Sequence, residues 1–414
     1  MVKASAAGIS DLPVLPRNSE KPSLVLLYAN QPVQKAGTRF FTQNKNFVDF
    51  LAVLSRLSDD YRLVVPVRHM ATIRSTLMEA DLPPNCVQVA AYGSHPAAIF
   101  ASLRNLPLLV RIINRARKSE KAITVAGPGP NSTLFFLSYL IPSNVRYVFF
   151  IRGNTVETVR RIYEASALRH IAVPIVRMFR QRIRDLLAED RAIALAYGPK
   201  LARRYGRFGK AYAITPLIEA EVLLHQSPRR PRKPSDPLRI VYVGRLSREK
   251  QVSGLINAVD RLLSEGQSCS LTIVGYGPEE TFLREVVSHS NLEEHISFRG
   301  FIPHGQRMFQ ILDSHDLLCL PSLTEGTPRV VVEASARFLP VLSTPVGSLP
   351  ELFSTSIRFT SGFDEAAIAD GIRWCRGHPA ECERMAETAR GAVDKYLITT
   401  QAKHVDKLIR KSRS

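Results

Sequence analysis

The chain is poor in cysteine and tryptophan, with five Cys and a single Trp among 414 residues. Cys86, Cys269, Cys319, Cys375 and Cys382 are odd in number and show no CxxC spacing. That excludes a disulfide framework or a paired-thiol zinc site, and it suits a reducing compartment. Long apolar runs are also missing. The longest candidate, 134–141, falls far short of the ~18–20 residues that a membrane-crossing helix needs, and the opening stretch MVKASAAGISDLPVLPRNSEKP has no apolar core of signal-peptide type. No Walker-type loop, Ser/His/Asp triad or metal-ligand cluster stands out, and the ten histidines are dispersed. Acidic residues are scarce in one half only. Up to residue 215 there are 31 Lys+Arg against 13 Asp+Glu, and after it 25 against 24. Nearly all of the net charge of +19 therefore sits on the first half, which is expected to face something anionic.

What is present is a steady alternation of short apolar runs with longer helical patterns. The runs at 24–29, 61–67, 86–93, 122–127, 145–151 and 192–198 are continuous rather than alternating, as in parallel strands covered on both faces. Helical stretches such as 40–57 and 96–118 separate them. The rhythm breaks at 226–237, QSPRRPRKPSDP, where prolines at a period of three suit an extended spacer. It restarts with runs at 238–245, 269–277, 295–301, 316–322 and 341–346. The expected fold is α/β: two Rossmann-like, doubly wound, mostly parallel domains facing across a cleft. The boundaries are a basic domain over 1–225, a linker over 226–237, a second domain over 238–398 and a basic helix over 399–414 that could cross back onto the first. The natural ligand position is the cleft, at the carboxyl ends of the strands.

Two strings carry chemistry. In VGRLSREKQ (243–251) a buried strand delivers Arg245 and Lys250 onto the loop at its carboxyl end. Two fixed cations there could hold a diphosphate, one as a planar fork and one as a point charge; two solvated surface cations would read the same way. In EGTPRVVVEASARFLPVLSTPVGSLPE (325–351), Glu325 and Glu333 are separated by seven residues, and Pro328 sits at the first turn of a helical pattern. Glu325 then lies in the loop before that helix and Glu333 within its opening turns, so both carboxylates could accept hydroxyls in one cleft. An acidic helix start favoured by the macrodipole is the alternative.

Taken together, and with VGYGP (274–278) and FRGFIP (298–303), these strings resemble the family 4 retaining glycosyltransferases of the GT-B fold. The resemblance is close over 238–352 and one of layout only in the first half. It implies a nucleotide-sugar donor, UDP-linked in most of the family, and neither a metal nor another cofactor. Arg245 and Lys250 would neutralise the donor diphosphate, Glu325 would hold the donor sugar, and Glu333 would hold the ribose. The backbone around Arg299, Gly300 and Phe301 would recognise the base, while Gly326, Thr327 and Pro328 would line the sugar and phosphate pocket. In QKAGTRFF (34–41), placed after the first strand and opening a helix, only Gly37 matches the family's glycine pair. Where the family often has His-Gly, this chain has Arg152 and Asn154 around a glycine, so Arg152 would meet an anionic donor or acceptor group or donate a hydrogen bond. A loop arginine of purely structural role is the other reading. The resemblance also implies reaction without a protein nucleophile, the leaving phosphate oxygen taking the acceptor proton.

Between 159 and 184 lie seven arginines against one acid, Glu164. Arg169, Arg177, Arg180 and Arg184 share one arc of a helix, and Leu168, Ile171, Ile175, Met178, Phe179 and Leu186 share another. Such a helix suits an anionic membrane surface, although the apolar arc could equally pack on the sheet. The leading expectation is thus a glycosyltransferase using a lipid-linked or anionic saccharide acceptor. Its expected location is cytoplasmic, with peripheral attachment to the inner face of the plasma membrane as what the basic helix would allow. A sugar-nucleotide epimerase of similar architecture would need cleft acid–base groups that are not found. A basic nucleic-acid-binding protein would leave the glutamate pair unexplained, and no nucleic-acid partner is expected.

Overall fold

The computed structural model describes residues 24–412 apart from 30–32, 43–44, 71–76, 85, 92–94, 120–122, 130–131, 142–144, 154, 164–165, 216, 225–232 and 234. Most of the proline-rich linker reading, and Asn154, lie outside the described residues. Two sheets organise the rest. In the first lobe a parallel block runs Ala211–Ile214, Ala192–Tyr197, Val145–Ile151, Ile123–Gly129, Leu24–Tyr28, Tyr61–His69. The edge strand Ala211–Ile214 was not among the expected runs, and the expected run at 86–93 supplies Val87–Ala90, which pairs with Tyr61–His69. The other five strands are the continuous apolar runs. Each buries side chains on both faces, against one cluster around Phe47, Phe50 and Leu63 and another around Tyr147, Ile151 and Leu186.

One expectation fails at the edge of this sheet. Residues 34–41 do not open a helix. Val33–Ala36 and Arg39–Thr42 form an antiparallel hairpin, and Met78–Ala80 extends it. Gly37 takes the first turn position with φ +58, a left-handed conformation that glycine adopts without strain. The helix starts only after it, at Lys45–Ser55, so Phe40 and Phe41 belong to a strand.

The second lobe has six parallel strands in the order Ile296–Gly300, Cys269–Val274, Leu238–Val243, Leu317–Leu320, Val341–Ser343, Arg358–Phe359. The chain crosses between lobes twice, and the crossings pair: the Ile218 N–H donates to the Tyr396 carbonyl at 3.0 Å, and the Ile398 N–H donates to Ile218 at 3.0 Å. Helix Ile398–Lys411 then packs Ala402, Val405 and Ile409 into the first lobe's core beside Lys45–Ser55. A buried ion pair anchors the same region: Arg337 meets Asp313 (Nε to Oδ1, 2.8 Å) and also donates to the carbonyls of Val222 at 3.0 Å and Leu224 at 2.7 Å.

The basic stretch is two helices, Thr155–Ile162 and Arg169–Ala188. The second has two apolar faces rather than one. Val173, Phe179, Ile183, Leu186 and Leu187 are buried in the lobe, whereas Leu168, Ile171 and Met178 are 50%, 62% and 49% exposed. The single apolar arc expected from the sequence therefore divides: Phe179 and Leu186 pack inward, Ile175 is half-buried, and Leu168, Ile171 and Met178 face solvent.

Candidate active site

The second lobe's strands end at a cavity of about 890 Å³ that opens toward the first lobe, which contributes Met78 to its wall. Its floor is made of backbone. The Gly244 N–H donates to the Val274 carbonyl and the Leu246 N–H to Tyr276, both at 3.0 Å. This close packing requires glycine: a Cβ at Gly275 would lie 1.8 Å from the Gly244 carbonyl oxygen. The result holds the loop bearing Arg245 and Lys250 against the 274–278 turn.

Four of the candidate side chains line this one space: Arg245, Lys250, Glu325 and Glu333. Lys250 Nζ lies 2.5 Å from Glu325 Oε1, which also accepts from the Ser322 hydroxyl at 2.9 Å, and both charged side chains are mostly buried. Arg245 is exposed at the rim, with no ion pair among the described residues. The site thus holds one neutralised pair and one available guanidinium.

Glu333 lies on helix Arg329–Ala336, whose N-cap is Pro328. It is almost wholly buried, with Arg329 Nε 2.6 Å and His304 Nδ1 3.2 Å from its Oε1. Burial alone would raise its pKa, but the charges of Arg329 and His304 outweigh it and hold the carboxyl below its ordinary value. Neither contact has aligned hydrogen-bond geometry, so Oε1 and both His304 ring nitrogens remain without a hydrogen-bond partner. Arg329 also donates to the Asn46 side chain across the lobes, and Asn46 donates to the Leu217 carbonyl at 2.9 Å. The sequence reading missed His304 and Arg329; a basic residue four before Glu333 on a helix was the available signal for the latter.

The remaining candidates divide. Pro328 and Phe301 line the cavity. Phe301 and Tyr276, both well exposed, meet edge to face at 5.6 Å between ring centroids. Arg299 is exposed and does not line the cavity, and neither does Gly300, whose carbonyl accepts from the Gly275 N–H at 2.8 Å. Gly37 sits in its hairpin turn, also outside the lining. Gly326 and Thr327 lie at the seam between lobes. The loop they occupy is braced by the Ser348 N–H donating to the Gly326 carbonyl at 3.0 Å, a contact that needs Gly347 at φ +60. Thr327 Oγ1 is buried without a hydrogen-bond partner. Across the seam, the Arg152 carbonyl oxygen would be 3.9 Å from a Cβ on Gly326, and Gly198 faces Ser348 and Thr327. Among the described residues no group of three or more His, Cys, Asp and Glu is arranged to hold a metal ion, and no helix is long and apolar enough to cross a membrane.

Residues 225–392 match the family described as glycosyl transferases group 1. The amylovoran biosynthesis glycosyltransferase AmsK of Erwinia amylovora is 35% identical over 127 residues, 29% of this chain and 31% of that protein. The match therefore spans about a third of that relative's length. Two solved structures share the fold over nearly the whole chain. Sucrose-phosphate synthase from Thermosynechococcus elongatus has a TM-score of 0.64 at 17% identity, covering 94% of this chain and 98% of its own. Anabaena Alr3699/HepE in complex with UDP-glucose has a TM-score of 0.61 at 14% identity, covering 94% and 100%. Over residues 225–392 the second lobe is thus similar to the group 1 glycosyl transferases, and the two-sheet α/β architecture is the GT-B-like fold of the solved structures it matches.

Proposed function

We propose that the protein transfers a sugar, with retention of configuration, from a UDP-sugar to a lipid-linked or anionic saccharide in polysaccharide biosynthesis. The observation that carries this reading is the meeting of Arg245, Lys250, Glu325 and Glu333 around one cavity. Arg245 and Lys250 take the diphosphate, whose charge grows as the glycosidic bond breaks, and fixed cations stabilise that growth. The ribose hydroxyls donate to Glu333 Oε1, which lacks an aligned partner. The base lies against Phe301 and Tyr276, near the 299–301 backbone. Glu325 holds the sugar, in a loop continued by Gly326, Thr327 and Pro328, and the first lobe reaches the cavity through Met78. The bond from the anomeric carbon to the diphosphate oxygen breaks, the acceptor oxygen bonds to that carbon on the same face, and the acceptor proton passes to the leaving phosphate oxygen. The likeness to a protein solved with UDP-glucose supports the choice of donor.

The acceptor side of this reading rests on helix Arg169–Ala188, which carries exposed Leu168, Ile171 and Met178 beside exposed Arg169 and Arg177. Arg180 and Arg184 are half-buried on the same helix. Apolar side chains beside arginines suit the headgroup boundary of an anionic membrane, where a lipid-linked acceptor would be found. The test of the whole reading is a thermal-shift panel of nucleotides and nucleotide sugars. A ligand at a hundred times its Kd adds about 2.7 kcal/mol. A rise in Tm with UDP-sugars is expected, and no response to any nucleotide would overturn it.

A further inference from the structure

Arg152 follows strand Val145–Ile151 and stands where the first lobe meets the Glu325–Thr327 loop. Its guanidinium carbon lies 4.2 Å from the centroid of the Phe47 ring, and Phe47 is itself 2% exposed. Tyr197, at the end of the neighbouring parallel strand, is close enough for its hydroxyl to interact electrostatically with the cation. Burial pulls the Arg152 pKa below its ordinary value, with Tyr197 acting weakly in the other direction. The residue nonetheless remains charged at any working pH.

Half-buried Arg152 lacks a carboxylate, as Arg245 and Arg184 do, but unlike Arg184 it stands where the two lobes meet. Among the described residues no acidic side chain pairs with Arg152, although Arg337 and Arg329 in the second lobe each pair with a buried acid. A cation withdrawn from water is expensive to leave uncompensated. An aromatic face offsets part of that penalty, and a ligand oxyanion would offset the rest. The location limits what the ligand can be. The Arg152 carbonyl would lie 3.9 Å from a Cβ on Gly326, the residue after Glu325. Arg152 therefore stands beside the loop that holds the sugar under the glycosyl-transfer reading, although its side chain is not part of the cavity wall.

We infer that Arg152 is a specificity-determining residue that receives an oxyanion, a carboxylate or a phosphate, carried by one of the two sugars brought together in the cleft. The inference rests on the proposed reading above and makes it narrower: the substrate pair includes an acidic saccharide. The anion could arrive on the donor sugar, as in a uronic acid, or on the acceptor.

Calorimetric titration of the full chain separates these sources. In the donor arm, UDP, UDP-glucose and UDP-glucuronate are compared. In the acceptor arm, with UDP saturating, glucose is compared with glucuronate and glucose 1-phosphate. The expected result is a preference of at least ~10-fold for the acidic member in one arm, the size of one charge-assisted hydrogen bond. That preference should shrink toward unity in Arg152→Gln and survive in part in Arg152→Lys. A preference in the donor arm assigns the anion to the donor, and one in the acceptor arm assigns it to the acceptor. The inference is overturned if the unaltered protein shows no charge preference in either arm, or if the preference persists undiminished in Arg152→Gln. Failure of UDP itself to bind would instead refute the glycosyl-transfer reading, so the two failures are distinguishable.

Discussion

The two lobes are built from the same layers and both carry ion pairs, such as Arg39 with Glu79 and Arg56 with Asp81 in the first, but they differ in charge balance. In the second lobe, cations are paired: Arg239 with Asp316, Arg284 with Glu280, Arg373 with Glu265 and Asp370, Arg337 with Asp313, Lys250 with Glu325. In the first, Arg177, Arg180, Arg184 and Arg204 crowd one another. The Arg180 guanidinium is pulled below its ordinary pKa by burial and further by those three neighbours. Arg184 rests on the Phe208 ring, and no carboxylate pairs with it among the described residues. Like charges held together work against folding. The second lobe's charges serve its own structure and site, whereas the first lobe's excess is available to a partner.

The largest effect should come from breaking a pair in the second lobe. Arg337→Ala leaves Asp313 buried and uncompensated and frees the carbonyls of Val222 and Leu224. Loss of one partner of a buried pair destabilises by about 3–5 kcal/mol. Chemical denaturation should therefore show a large drop in midpoint, and a change under 1 kcal/mol would show that the pair does not support the fold. Next is Lys250→Ala, which removes a cation from the proposed leaving-group site and unpairs Glu325. Turnover should fall by ~10²–10³, the scale for one transition-state donor; an unchanged kcat would remove Lys250 from that role.

In the first lobe the same kind of change should do less to stability and more to binding. Neutralising Arg177, Arg180 and Arg184 to Gln should weaken binding to vesicles of anionic lipid, each charge contributing about 1 kcal/mol near the surface. The fold should stay at least as stable, because no ion pair is lost among the described residues. Vesicle binding that is equal before and after would leave the arginines as a solvated face. Leu168→Ser with Ile171→Ser then sharpens the result, since a membrane held by charge alone would not register the loss of two exposed apolar side chains.

The two lobes also differ in how much could be read from residue order. Arg245, Lys250, Glu325 and Glu333 were legible because each lies in or just after a loop at the end of a buried strand, and local pattern places such loops. Tyr276 in the 274–278 turn and His304 just after 298–303 lie in equally legible loops and were passed over, whereas Met78 reaches the cavity through tertiary approach, for which the sequence holds no local mark. In the first lobe the error at 34–41 came from reading Ala36–Gly37 as a helix entry. The strands flank a two-residue Gly-Thr turn, a hairpin signal that was present but shorter than the helix that follows. On Arg169–Ala188 the composition was plain, but a helix with two apolar faces cannot be sorted into buried and exposed without its neighbours. Arg152 was legible as an arginine near a strand end; that it has no acid beside it was not.

The smallest effect is a pH dependence that should separate the lobes cleanly. In the second lobe the Glu333 carboxyl is held below its ordinary value of 4.5, burial opposing ionisation and Arg329 with His304 overcoming it. A carboxylate whose folded pKa is depressed contributes stability that is fully present above its unfolded pKa. That contribution is lost as the pH falls through the lower folded value. Glu333→Gln should therefore have a lower Tm than the unaltered protein at pH 6, and the gap should narrow as the pH is taken below about 4.5, where the unaltered protein loses the same contribution. A gap that stays constant or widens toward acid would mean that the carboxylate is not stabilised by its two basic neighbours. The triple arginine variant of the first lobe provides the contrast. No carboxylate partner is involved there, so its Tm difference should be flat over the same interval, and a slope matching that of Glu333→Gln would mean that acids outside the described contacts pair with those arginines after all.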